Sequence, residues 1–132
     1  MPNRVVHFEI QADDVERVKK FYENIFGWKI EKFGGPMEYW MVMTAEQDSK
    51  EVGISGGLQK RSTKAPEAGM GTNAFTCVVD VKNFDETAEK ILASGGKIAL
   101  PKYAIPGMAW IGYFLDTEGN TFGLFQADAT AK

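Results

Sequence analysis

Cysteine is almost missing from this chain. Cys77 is the only one among 132 residues, which excludes an internal disulfide, a CxxC redox pair and a cysteine-based zinc site. That scarcity fits a reducing, cytoplasmic location. Excess basic charge is missing too: 15 Lys and Arg face 18 Asp and Glu, for a net charge of −3, and no Lys/Arg stripe stands out. A polyanion partner has no electrostatic footprint, so nucleic acid is excluded. There is no long apolar run. The most apolar stretch, Ala104 to Leu115, carries Pro106, Gly107 and Gly112 and is far shorter than the ~20 residues that cross a bilayer. The N-terminus is interrupted by His7 and Glu9 and does not read as a signal peptide. With 14 Gly and 5 Pro the chain is well below low-complexity composition. What is present is the balance of a globular domain, 44% hydrophobic and 25% charged, in a length suited to one domain over residues 1–132.

Periodicity divides that length into elements. Arg4 to Ile10 alternates, with Val6, Phe8 and Ile10 on one face and Val5, His7 and Glu9 on the other, the period of a half-buried strand. Asp13 and Glu16 then read as a capping pair ahead of the stripe Val15, Val18, Phe21, Tyr22, Ile25 and Phe26, a helix ended by Gly27. Trp28 to Phe33, Met37 to Thr44 and Glu51 to Leu58 read as three strands. The polar segment 59–71, broken by Pro66, Gly69 and Gly71, reads as a solvated connector.

The same grammar follows it. Thr72 to Val81 reads as a strand, and Asn83 with Glu86 caps a helix carrying Phe84, Ala88, Ile91 and Leu92, stopped at Gly95 and Gly96. Lys97 to Leu100, Ala109 to Leu115 and Asn120 to Gln126 complete three more strands, the last two joined by a turn at Asp116 to Asn120 in which Asp116 bonds backbone amides. A shift of 69 residues superposes Gly27 on Gly96, Ile10 on Val79, Val15 on Phe84 and His7 on Thr76. Later strands need a shift of 71, which sets Met37 on Met108 and Trp40 on Ile111. The repeat predicts an α+β fold of two βαβββ modules, about 3–58 and 72–127, forming a curved mixed sheet around a cavity. Two ferredoxin-like βαββ units absorb part of this pattern, but three strands after each helix fit the lengths better than two.

The chain resembles the vicinal oxygen chelate superfamily, the fold of glyoxalase I, bleomycin- and fosfomycin-resistance proteins and extradiol dioxygenases. The likeness is carried by Val5-Val6-His7-Phe8-Glu9-Ile10, by Phe21 to Trp28, by Ala93-Ser94-Gly95-Gly96-Lys97-Ile98 and by Tyr113 to Asn120. Ile105-Pro106-Gly107-Met108 followed by Asp116 to Gly123 is similar to a branch of that superfamily with mostly unassigned activity. Metal-dependent members hold a divalent ion with a side chain from the first and last strand of each module. The matching positions here are His7, then Gly56 or Gly57, then Thr76, then Gly123, so only His7 keeps a ligand and no resident metal or other cofactor is expected.

The candidate site residues follow from this frame. Strand parity points His7 into the cavity, where the single histidine is placed to titrate or to bind a ligand's carboxylate. Glu9 faces the same way and is a candidate general base, against the plainer reading of a strand-end carboxylate in an ion pair. Tyr113 matches an active-site tyrosine of fosfomycin-resistance proteins, and Trp40 is expected to face it from the other module. Trp28, Tyr39 and Trp110 are assigned to core or dimer packing, and Cys77 to the helix-covered face as a small hydrophobe. Met37, Met41 and Met43 share one strand face. The expected function is metal-independent binding of a small organic ligand between His7, Trp40, Thr76 and Tyr113, in a homodimer such as family members commonly form. The rival is an enzyme of the superfamily, a lyase, isomerase or dioxygenase, using His7 with Glu9 and a weakly held divalent metal. A third class is a partner-binding scaffold whose cavity its own side chains close.

Overall fold

Each half of the chain builds its helix from a capping side chain set just ahead of an apolar stripe. In the computed structural model, which describes residues 5, 7–34, 38–67 and 76–132, helix α1 spans Val15–Phe26 and Asp14 caps it, accepting from the Arg17 N–H at 3.0 Å. Val15, Val18, Phe21, Tyr22 and Ile25 are buried, and Gly27 closes the helix at φ +70°, a left-handed conformation that suits glycine. Asp13, the expected cap, instead takes Arg61 Nε at 3.3 Å. Helix α2 spans Phe84–Ala93 and is capped as expected by Asn83, whose side chain accepts from the Glu86 N–H at 3.0 Å.

The chain forms two compact units, Met1–Ala65 and Pro66–Lys132. In the first, β1 (Glu9–Ala12), β2 (Lys29–Lys32), β3 (Tyr39–Met43) and β4 (Gly56–Lys60) pair in the order β1-β4-β3-β2. β1 runs parallel to β4 and the other pairs are antiparallel. In the second, β5 (Val78–Asp80), β6 (Lys97–Ile105), β7 (Ala109–Leu115) and β8 (Thr121–Ala127) repeat that order and polarity as β5-β8-β7-β6. The α+β architecture of two βαβββ modules is therefore as the repeat predicts.

Boundaries differ where local chemistry outweighs the pattern. β4 begins at Gly56, later than the expected Glu51, because Thr44 holds the chain just before it: its Oγ1 donates to the Ile54 carbonyl at 2.7 Å and its N–H to Ser55 Oγ at 3.2 Å. Gln59 and Lys60 belong to that strand, not to the connector. β6 runs on from Leu100 through Pro101 to Ile105, with register irregularities between Ile98 and Leu100 and between Leu100 and Tyr103. Proline lacks a ladder donor and is tolerated here because β6 is an edge strand. β1 starts at Glu9, with Val5, His7 and Phe8 outside it; Arg4, Val6, Met37 and the segment Thr72 to Phe75 lie outside the described residues.

Each sheet has one face turned to its helix. In the first unit Ile10, Leu58, Trp40 and Lys32 share one row and Val42 and Ile30 the next, and Ile30, Val42 and Leu58 are almost wholly buried. The opposite face carries Glu9, Gly57, Met41 and Glu31 in one row and Gln11, Gln59 and Tyr39 in another. In the second unit Leu124, Phe114, Phe122, Phe84 and Ile91 are buried. Phe84 comes so close that a Cβ on Gly112 would sit 2.7 Å from its Cζ.

Candidate functional site

The two modules can be aligned by one hydrogen bond that each makes within itself. The Gly57 N–H donates to the Phe8 carbonyl at 2.9 Å, and the Gly123 N–H donates to the Cys77 carbonyl at the same distance. Phe8 and Cys77 are therefore equivalent, and so are Gly57 and Gly123, which confirms that His7 corresponds to Thr76. On β3 and β7 the matching is different. Met41 pairs with Gly57 and Tyr113 with Gly123, a shift of 72 where the sequence suggested 71. The partner of Tyr113 is thus Met41, and that of Trp40 is Gly112.

That one-residue difference exchanges the faces of β3, because strand side chains alternate. Trp40 lies half-buried on the helix side, in a row with Leu58, with Lys32 Nζ 5.7 Å from its ring centroid. The structure does not bring Trp40 to His7. Tyr39, assigned from sequence to packing, is the residue that arrives there. His7 Nε2 lies 2.8 Å from Tyr39 Oη, and Tyr39 donates its hydroxyl proton to Glu9 Oε2 at 2.9 Å. The His7 and Tyr39 rings are nearly parallel, at 16°, with centroids 6.5 Å apart. His7 and Glu9 are exposed, and Tyr39 is half-buried. Partial burial, then the hydrogen bond and the charge of Glu9, raise the Tyr39 pKa, so the phenol keeps its proton and acts as a donor. The signal for Tyr39 was present in the sequence: it shares parity with Met41 and Met43, already placed together on one face.

Tyr39 reaches this position by leaning over Gly57. A Cβ at residue 57 would overlap the Tyr39 hydroxyl and ring. In the second module Tyr113 does the same over Gly123, where a Cβ would sit 2.9 Å from Tyr113 Cε1. Tyr113 faces away from α2, and burial followed by the charge and hydrogen bond of Tyr103 raises its pKa. Thr76, half-buried, precedes β5 with the parity of Val78.

These contacts decide what the positions used by metal-dependent members can hold. Positions 57 and 123 offer no side chain, and tyrosine rings fill the space into which one would project. Among the described residues, no group of three His, Cys, Asp or Glu is placed to hold a metal ion. His7 and Glu9 supply two donors, whereas a divalent ion needs several more N or O ligands to replace its hydration. Among the described residues, the donors around His7 do not fit a catalytic divalent ion.

The remaining candidates are structural. Cys77 is exposed at the entry to edge strand β5, not covered by the helix, and partial desolvation raises its thiol pKa, the wrong direction for a nucleophile. Trp28 packs against Tyr22 at 5.2 Å and Phe26 at 4.9 Å between centroids. Trp110 donates from Nε1 to Asp128 Oδ2 at 2.9 Å beneath Lys102, whose ammonium lies 4.6 Å from its ring.

Residues 4–124 match the family model described as Glyoxalase/Bleomycin resistance protein/Dioxygenase superfamily. A glyoxylase-like domain-containing protein of Didymella fabae is 29% identical over 120 residues, which is 88% of each chain. CFP32 of Mycobacterium bovis is 27% identical over 122 residues, covering 91% of this chain and 44% of that protein, so the chain spans less than half of that relative's length. Among solved structures, the fosfomycin resistance protein FosX from Listeria monocytogenes superposes with a TM-score of 0.72 at 17% identity, over 97% of this chain and 94% of that one. A mutant of that Listeria protein has been solved with Mn(II) and 1S,2S-dihydroxypropylphosphonic acid.

Proposed function

The chain belongs to the glyoxalase/bleomycin resistance protein/dioxygenase superfamily, and from that premise we propose that it binds a small organic molecule without a resident metal, at the His7, Tyr39 and Glu9 cluster of the first module. The observation that carries this reading is the tyrosine lying over Gly57, which puts an aromatic wall and a hydroxyl where a metal ligand would stand. A flat ring beside a few directed polar groups suits a small ligand with at least one polar function. Thr76 and Tyr113 are proposed as ligand contacts within the second module, considered by itself. Trp40, on the helix-facing side of its sheet, supports the fold of the first.

The experiment is metal analysis of protein purified without chelators, combined with a thermal-shift screen of small acids, phenols and amides on the wild type and on His7→Ala. The reading expects substoichiometric metal and stabilising compounds whose effect is lost in His7→Ala. A stoichiometric divalent ion that disappears in His7→Ala overturns it.

One observation favours an enzyme as the second reading: His7 and Glu9 are joined through a single hydroxyl, an arrangement able to move a proton. Of the superfamily's chemistries this supports a lyase or isomerase step based on proton transfer. A dioxygenase needs a redox metal that this donor set does not fit. We further propose a homodimer in a reducing compartment such as the cytoplasm, with light scattering on the purified chain as the test of the dimer.

A further inference from the structure

The hydroxyl of Tyr39 has one proton, and it is directed at Glu9. Toward His7 the same oxygen can only accept, so the 2.8 Å contact requires that His7 Nε2 carry a hydrogen. The order of donors fixes the imidazole: Glu9 accepts from Tyr39, Tyr39 accepts from Nε2–H, and Nδ1 is left as the lone pair of the neutral ring. No described residue hydrogen-bonds Nδ1, and the side chain is exposed.

We propose that His7 Nδ1 is the proton acceptor of this site, held in that tautomer by Tyr39 and Glu9 as positioning residues. This deepens the binding reading above and rests on it. The ligand class it names is a neutral molecule with an acidic O–H, N–H or C–H at its point of contact. In the transfer the X–H bond breaks, its electron pair stays on X, and the proton forms a bond to Nδ1. The resulting imidazolium donates from Nε2 to Tyr39 while the Glu9 carboxylate offsets its charge through the phenol. The logic is that of a base oriented by a carboxylate, with a tyrosine interposed.

The single histidine makes the test direct, because a two-dimensional ¹H–¹⁵N spectrum of the imidazole has only one ring to report. At about pH 9, above the ordinary histidine range, the wild type is expected to show the neutral tautomer protonated at Nε2. Glu9→Ala releases the tyrosine proton, which can then donate to Nε2, so the spectrum is expected to switch to the Nδ1–H tautomer. Glu9→Gln retains an acceptor for Tyr39 and keeps the wild-type pattern, and Tyr39→Phe gives a mixture. A wild type protonated at Nδ1, or a Glu9→Ala spectrum unchanged from the wild type, overturns the proposal. The spectrum needs no ligand, so its failure is separate from failure of the thermal-shift screen. The variants alter exposed or half-buried groups, and the amide spectrum of each reports that it is folded.

Discussion

Tyr39 and Gly57 form a matched pair: the tyrosine ring occupies the volume into which any side chain at position 57 would project. The relationship recurs between Tyr113 and Gly123, although the geometry differs. Tyr113 lies directly opposite its glycine in the β7/β8 register, whereas Tyr39 lies opposite Gln59 and reaches Gly57 by leaning along the sheet. In both modules the last strand contributes empty space and the strand beside it a phenol. At both positions a tyrosine ring stands where a side chain of the last strand would otherwise project.

Replacing Gly57 by alanine should therefore do more than add a methyl group. The methyl overlaps the Tyr39 hydroxyl, so the ring must swing out and the bonds to His7 and Glu9 break. Overpacking of this kind costs about 1–3 kcal/mol. Urea denaturation is expected to show that loss in Gly57→Ala and a smaller one than additivity predicts in the Gly57→Ala, Tyr39→Ala double variant, where the clash is gone. Strict additivity would show that the two residues do not compete for the same space.

The turn between β7 and β8 gives a second prediction. Asp116 is buried, and its Oδ1 accepts from the Glu118 N–H at 2.8 Å and the Asn120 N–H at 2.9 Å, while Oδ2 accepts from the Asn120 side-chain amide at 2.9 Å. Asp116→Ala leaves two backbone donors without that acceptor and is expected to cost roughly 2–3 kcal/mol in thermal or urea unfolding. Asp116→Asn retains an oxygen for the amides and should lose about half as much.

Legibility in the sequence followed the number of independent signals. Helices were marked three times over, by cap, stripe and terminal glycine, so α2 was placed with its cap and α1 missed only the choice between adjacent aspartates. Strand existence was readable from alternation and turns, and the position of Asp116 was readable from its turn chemistry. Equivalence between β3 and β7 rested on one signal, a shift carried over from methionines, and it erred by a single residue. In a strand that error is the largest possible, since it moves a side chain to the other face, and it put Trp40 on the face that Tyr39 occupies. Parity within β3 alone, with Tyr39 in step with Met41 and Met43, gives the observed face without any comparison between modules. The tyrosine over Gly57 was not readable, because a side chain that leans along a sheet leaves no trace in periodicity.

Acid sensitivity should have a contribution from the C-terminal segment. Thr130 donates to Asp128 Oδ1 from its hydroxyl at 2.6 Å and its N–H at 2.8 Å, and these bonds, then that from Trp110, hold the carboxyl below its usual range against a partial desolvation, with Lys102 adding to them. A carboxyl whose folded pKa is depressed stabilises the fold above its unfolded value, about 3.9, and loses that contribution as the pH falls through the folded pKa. Asp128→Asn should accordingly lie below the wild type in urea midpoint at pH 6, with the gap closing as the pH falls below about 4 and through the depressed folded pKa. A gap that is constant with pH would assign the difference to shape and not to charge.

The two faces of β3 make the last prediction, because neighbouring residues on one strand should fail in different ways. Tyr39 projects from the face that carries Glu9, and Trp40 from the face that carries Leu58. For a compound found by thermal-shift screening and held at His7, Tyr39→Phe keeps the ring over Gly57 and removes only the hydroxyl. Losing one hydrogen-bonding group in the relay is worth about 1.4 kcal/mol, so the Kd measured by titration calorimetry should rise roughly tenfold with little change in melting temperature. Trp40→Ala removes an indole packed beside the buried row and stacked under Lys32. It is expected to cost about 1–3 kcal/mol of stability while leaving the Kd of the folded protein within about twofold of the wild type. If Trp40→Ala abolished binding in protein shown to be folded, and Tyr39→Phe left it intact, the ligand would have to meet the opposite face of the sheet, and the site drawn around His7 would be wrong.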